Sequence, residues 1–210
     1  MKLASLALLL CAGAFAAELD AGRSPAVTFG FDDPKDRDAV RFVIDAPFGK
    51  IYGLSHDLEG TVTVTGSKAD GELRTSVGSI QTGNSTRDGH LWGDSWLDAK
   101  TYPFIRFNFK DVELPQELAN GQKLELKAKG TFSIHGVERV EPVQITAWYE
   151  KESEESKKHR PGDLLHLTAR FRIHLEDYKI APRRGFLKVG EDTDVSVDAW
   201  GSTAVKAPKP

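Results

Sequence analysis

The chain has 210 residues, enough for one sizeable core or two small ones, with 40% hydrophobic and 28% charged side chains. Its 28 basic and 31 acidic residues leave a net charge of −3, without the basic excess of a nucleic-acid binder or of a protein drawn to an anionic membrane. The single cysteine, Cys11, excludes an intramolecular disulfide and Cys-rich zinc modules.

The N-terminus predicts a secretory signal peptide. Met1-Lys2 is a short positive start, and residues 3–16 are almost wholly apolar. Ala14-Phe15-Ala16 places small residues where a signal peptidase reads them. Cleavage is expected before Ala17, giving a signal over 1–16 and an N-terminal extension over 17–25. The apolar run is too short for a stable bilayer-spanning helix, so no stable membrane insertion is expected. A lipoprotein signal at Cys11 would want a small residue before it, and Leu10 is large. Loss of Cys11 with the signal leaves a thiol-free chain, suited to an oxidising periplasm.

From residue 40 onward, apolar side chains recur with a period of two, the pattern of strands with one wet face. Val40, Phe42 and Ile44 form a short set, and Val62 and Val64 another. Residues 73–80 are β-like with ambiguous facing. Ile105, Phe107 and Phe109 oppose Arg106, Asn108 and Lys110. Over 123–135, Leu124, Leu126, Ala128, Gly130, Phe132 and Ile134 share a face. Val143, Ile145, Ala147 and Tyr149 oppose Gln144, Thr146 and Trp148. Leu165, Leu167, Ala169, Phe171, Ile173 and Leu175 oppose His166, Thr168, Arg170, Arg172 and His174. Val195, Val197 and Ala199 close the series.

Asp70-Gly71, Asn120-Gly121, His135-Gly136 and Pro161-Gly162 are expected to make the turns. The charged stretch 150–159 reads as a long solvated hairpin tip, and 202–210 as a disordered tail. Strands with one apolar face close either as a sandwich or as a barrel. Long strands favour a tall barrel, because they tilt and coil about an axis. Small inward residues such as Ala128, Gly130, Ala147 and Ala169 leave room at its centre. Pattern alone leaves open whether side chains or a ligand take that room.

Residues 80–104 break the rhythm. Ser85 with Asp88 forms a loose capping box. Leu91, Trp92, Trp96 and Leu97 give one apolar side of a short helix, which Gly93 weakens and Tyr102-Pro103 ends. A short helical cap over one barrel end is the expectation.

Within this segment, Ser79-Ile80-Gln81-Thr82-Gly83-Asn84, Arg87-Asp88-Gly89-His90-Leu91 and Asp98-Ala99-Lys100-Thr101-Tyr102-Pro103, followed by Phe107, resemble the YceI-like polyisoprenoid-binding family. Residues 130–137, Pro142-Val143, residues 171–180 with Asp177-Tyr178, Val189-Gly190-Glu191 and residues 195–199 extend the resemblance over residues 26–201. Three stretches depart from the family pattern. Asp45-Ala46-Pro47-Phe48-Gly49 stands where members often carry a His, and Trp96-Leu97 where the cap often shows two Phe. Residues 150–159 are longer and more charged than usual. These departures touch ligand identity more than fold.

The resemblance implies a secreted or periplasmic all-β protein. Its fold would be an extended antiparallel lipocalin-like barrel of eight strands or so, over 26–201, with a short helical cap. The barrel would hold a long isoprenoid, such as a quinone tail or prenyl lipid, for storage or transport. No further cofactor is implied, and a homodimer is compatible. Lumen candidates are Phe42, Ile44, Ile80, Ile105, Phe107, Phe109, Phe132, Ile134, Ile145, Phe171 and Ile173. Cap and mouth candidates are Arg87, Asp88, His90, Trp92, Trp96 and Tyr102.

Each set has a plainer reading. The inward rows equally suit a packed core, and so a non-binding stress or surface module with a filled barrel. Arg87 and Asp88 either fix the helix start or face a lipid headgroup. A lipid-modifying enzyme would use His90, Asp88 and His56 for proton transfer, but the chain has no nucleophile elbow, Walker loop or dinucleotide fingerprint. No metal site is expected. His135, His166 and His174 face outward, and the last two stand roughly 25 Å apart on one strand, too far to share an ion.

Overall fold

The computed structural model describes residues 25–35, 37–114, 118–180 and 188–205. The expected signal peptide, the extension up to residue 24 and residues 206–210 lie outside the described residues. Among the described residues ten antiparallel strands make one sheet: β1 (Val27–Asp32), β2 (Ala39–Ala46), β3 (Gly49–Ser55), β4 (Leu58–Thr65), β5 (Lys68–Ser76), β6 (Phe104–Glu113), β7 (Lys123–Ile134), β8 (Val137–Glu150), β9 (Leu164–His174) and β10 (Asp192–Ser202). Among the described residues two short α-helices, α1 (Ser85–Trp92) and α2 (Glu154–His159), interrupt the series. The strand order is β1-β4-β5-β6-β7-β8-β9-β10-β2-β3, and β1 also meets β10, with Gly30 opposite Ser202. Eight strands therefore close a barrel, and the β2–β3 hairpin lies against β10 as an addition.

The long strands follow the alternation in the sequence. In β7, Leu124, Ala128, Phe132 and Ile134 are buried, while Lys123, Glu125, Lys127 and Lys129 are exposed. β1 and β3 carry little alternation. β1 contributes only Phe29 and Phe31, both fully buried, and β3 leaves Tyr52 exposed as part of an edge strand.

Asp70-Gly71 is not a turn. It lies within β5 at a register shift, and β4 turns into β5 at Gly66-Ser67. Gly71 is there for close approach: a Cβ would meet the Phe109 ring. His135-Gly136 does turn, with φ of +49° and +71° and Ile134 opposite Val137, the geometry of a two-residue type I′ hairpin. The charged 150–159 connection contains α2. Ser153 and Ser156 cap its start reciprocally, acidic residues fill its first turn, and basic residues fill its last. Ordered chain also continues past 201. Ser202 is fully buried at the end of β10, and Thr203 and Val205 donate backbone hydrogen bonds to Asp163 and Ser202.

The core divides into two clusters along the barrel axis. Phe29, Phe31, Val62, Phe109 and Leu165 belong to the base. Ile44, Ile80, Phe132, Ile173 and Tyr178 belong to the mouth. The wall changes partners between them: β10 pairs with β2 over residues 193–198 and with β1 at Ser202. Trp200 falls in the gap, and its backbone N–H donates to the buried Asp38 carboxylate at 2.8 Å. On the far side of the hairpin, Leu54 and Gln81 exchange two backbone hydrogen bonds of 2.8 and 2.9 Å. These contacts seal the mouth half of the wall.

Candidate functional site

The lumen holds two cavities with shared walls. The base cavity is about 120 Å³ and the mouth cavity about 320 Å³, and Val40, Thr75, Ile105, Phe132 and Phe171 border both. All eleven lumen candidates line one or the other. Ile105, Phe132 and Phe171 line both, and Phe107, Phe109 and Ile145 line the base. Phe42, Ile44, Ile80, Ile134 and Ile173 line the mouth.

The large rings leave this space open because they lie against glycine. Phe42 faces Gly53 across the β2–β3 pair, and Phe109 faces Gly71. Phe107 covers Gly130, so the room read beside Gly130 is taken by a ring laid on the wall. A side chain at any of the three glycines would collide with the ring and push it inward. Phe107, Phe132 and Phe171 run ring to ring at 4.5 and 4.6 Å, across the waist between the cavities.

α1 closes the mouth. Its N-cap is Asn84, whose side chain accepts from Arg87 N at 3.0 Å, in place of the expected Ser85–Asp88 box. Asp88 instead turns back on the preceding segment. Its carboxylate accepts from Thr82 N at 2.8 Å and from Thr82 Oγ1 at 2.5 Å. Arg87 donates to Thr82 Oγ1 at 2.8 Å and to the Thr82 carbonyl at 2.9 Å. Thr82 follows Gln81, which is bonded to β3, so this network fastens the cap to the wall. Trp92 Nε1 adds a bond to the Ile80 carbonyl at 2.9 Å.

The six cap candidates thus divide by what they touch. Arg87, His90 and Trp96 line the mouth cavity. Asp88 and Trp92 hold the helix down. Tyr102 stands outside the lumen, edge-on to His135 at 5.5 Å and over Gly136. Lining residues outside the two candidate sets are Thr75 at both cavities, Leu91, Leu97, Val189 and Val195 at the mouth, and Leu58, Leu73 and Leu165 at the base. Val195 and Leu165 shared the alternating pattern and could have been found from it. Thr75 gave no such signal, being a buried polar residue in the stretch of ambiguous facing.

Of the proton-transfer candidates, only His90 faces the cavity. His56 Nδ1 lies 2.7 Å from the Asp38 carbonyl at the seam, and Asp88 is held by Thr82. His166 and His174 face outward, beside Asp198 and Asp192. Among the described residues no group of three or more metal-ligating side chains gathers, and no helix is long and apolar enough to cross a membrane.

The seam beneath the mouth contains buried charge. Arg37 grips the Asp33 carboxylate at 2.6 and 2.9 Å, holding its pKa down at about 2. Burial pushes Asp38 up to about 6, only partly opposed by the Trp200 N–H. Arg160, buried 3.7 Å from Asp33, is lowered by desolvation.

Known proteins share this architecture. A family model described as a YceI-like domain matches residues 31–200. Comparison with curated proteins gives no match. A polyisoprenoid binding domain from Saccharophagus degradans superposes with a TM-score of 0.64 at 16% identity, covering 87% of this chain and 99% of that one. BcnA from Burkholderia cenocepacia gives 0.58 at 16% identity, covering 80% and 99%. The YceI protein of Campylobacter jejuni gives 0.58 at 19% identity, covering 71% and 83%. At these identities the structural likeness establishes the fold.

Proposed function

The chain belongs to the YceI-like family, and on that premise we propose that it is an exported lipid-binding barrel, holding a polyisoprenoid or a lipid of similar girth in its lumen for storage or transport. The observation that carries this reading is the open apolar lumen, whose mouth cavity of about 320 Å³ adjoins a second one at the base. Small-molecule sites commonly fall in the range of roughly 300–1,000 Å³. The S. degradans domain, described as polyisoprenoid binding, supports the ligand class.

An isoprenoid chain suits these walls because it has no hydrogen-bonding groups to satisfy. Each methylene taken from water contributes roughly 0.8 kcal/mol, less the ordering of chain and cap. Thr82, Arg87 and His90 form a polar margin at the mouth, beneath α1. A polar headgroup would therefore remain near α1 while the tail runs toward the base. Asp88 and His56 are engaged in holding the fold, which favours binding over turnover. Export rests on the N-terminal signal, and the mature chain should begin at Ala17.

Native mass spectrometry of gently purified protein tests the reading. A carrier shows added mass that organic extraction removes, and the extracted lipid rebinds to the stripped protein. Protein that is ligand-free in every preparation and takes up no prenyl lipid would end the proposal.

A further inference from the structure

The outer wall carries a surface feature separate from the lumen. A groove of about 730 Å³ runs across the outward faces of β7, β8, β9, β10 and β2. Its floor is set by register. Lys127 lies opposite Gln144, Gln144 opposite Arg170, Arg170 opposite Ser196, and Ser196 opposite Arg41. Three cations therefore stand in one row, each separated by a neutral hydrogen-bonding residue. Strands are about 4.8 Å apart, so the charges repeat at roughly 10 Å. The next row is Glu125, Thr146, Thr168 and Asp198.

Arg41 and Arg170 differ from the other arginines on the strands. Arg74, Arg106, Arg139 and Arg172 each hold a carboxylate. Arg41, Lys127 and Arg170 are exposed and have no ion pair among the described residues. Two residues further along the strands, Lys123, Trp148, His166 and Trp200 form a third row. His166 stacks on Trp200 at 4.3 Å and 9°, and Trp148 closes on Trp200 at 5.9 Å with 40% of its surface exposed. Neutral donors, two carboxylates and a periodic cation row thus share the groove, and the aromatic row lies beyond its edge, four residues along the strands from the cations.

The geometry points to an acidic glycan, a 1,4-linked chain of uronic-acid sugars, as the occupant. Its disaccharide repeat matches the cation spacing, so alternate carboxylates meet Arg41, Arg170 and Lys127. Sugar hydroxyls can donate to Glu125 and Asp198 in the neighbouring row. Polyphosphate and a DNA backbone fit less well, because they offer no hydroxyl donors to the two carboxylates. This surface is independent of the lumen and does not require it to be occupied.

Binding of a uronic-acid hexasaccharide is measured by titration calorimetry with the whole mature protein. A neutral glucose hexasaccharide, inorganic polyphosphate and single-stranded DNA are titrated beside it. The expected result is saturable, salt-sensitive uronate binding, with all three comparators weaker. Arg170→Glu and Arg41→Glu should each weaken it by about tenfold or more. Melting temperature and lipid uptake should stay unchanged. Lys127→Glu, on a different strand, makes the same test if Arg170→Glu fails to fold. No saturation with uronate, equal binding by the variants, or polyphosphate or DNA binding as tightly as uronate would each overturn the assignment.

Discussion

The two ends of the lumen are built from the same alternating strands and still differ in room and chemistry. The base is closed by β1 and β4 and filled by Phe29, Phe31, Leu58 and Val62. About 120 Å³ remains there. The mouth is closed by β2, β3 and α1, holds about 320 Å³, and carries Thr82, Arg87 and His90 at its margin. β1 sends two fully buried Phe rings into the base, whereas β2 lays its Phe42 ring flat over Gly53. Cavity size in this barrel therefore follows from where the rings lie, as much as from how many there are.

The strongest break of that comparison is Phe107→Asp. Phe107 lines the base and stacks on Phe132, so an unpaired carboxylate there should cost about 4 kcal/mol or more and abolish the cooperative melt seen by circular dichroism. Retained folding with lipid uptake would mean that the base is wetter than its lining suggests.

The seam between the halves should show itself in pH dependence. Asp38 is raised in the folded state to about 6 from 3.8, so its contribution falls as pH rises from 4 through 6. Asp33 is lowered to about 2, so its contribution is present above pH 4 and lost as pH falls through 2. The seam contributes most near pH 4 or so. Asp38→Asn keeps an acceptor for Trp200 and should remove the loss between pH 4 and 6, gaining about 2–3 kcal/mol at neutral pH by denaturant titration. An unchanged slope would place the titrating group elsewhere.

Two filling substitutions should separate the ends. Ala147 lines the base and is 4% exposed, so Ala147→Phe should overpack it and cost about 1–3 kcal/mol. Val195 lines the larger mouth cavity. Val195→Trp should leave the melting temperature nearly unchanged while removing the extractable lipid mass. The reverse pattern would mean that the ligand sits in the base. The smallest effect belongs to Tyr178, whose fully buried hydroxyl has no hydrogen-bond partner among the described residues. Tyr178→Phe should be neutral or stabilise the mouth by about 1 kcal/mol, read as a small rise in melting temperature.

Sequence by itself determined the inward and outward faces of β6 to β10, because side chains in a strand alternate whatever the partner is. It also marked the cap segment and eleven residues that line the lumen. Tertiary structure decided the rest. Gly71 looks like a turn residue until the Phe109 ring is seen above it. Arg87 and Asp88 stand side by side in sequence, yet only Arg87 faces the cavity, because Thr82 draws Asp88 away. The row of Arg41, Arg170 and Lys127 joins residues far apart in the chain. Local periodicity fixes which way a side chain points, but only closure of the barrel fixes what it meets, and that determines whether a ring fills the lumen or lines it.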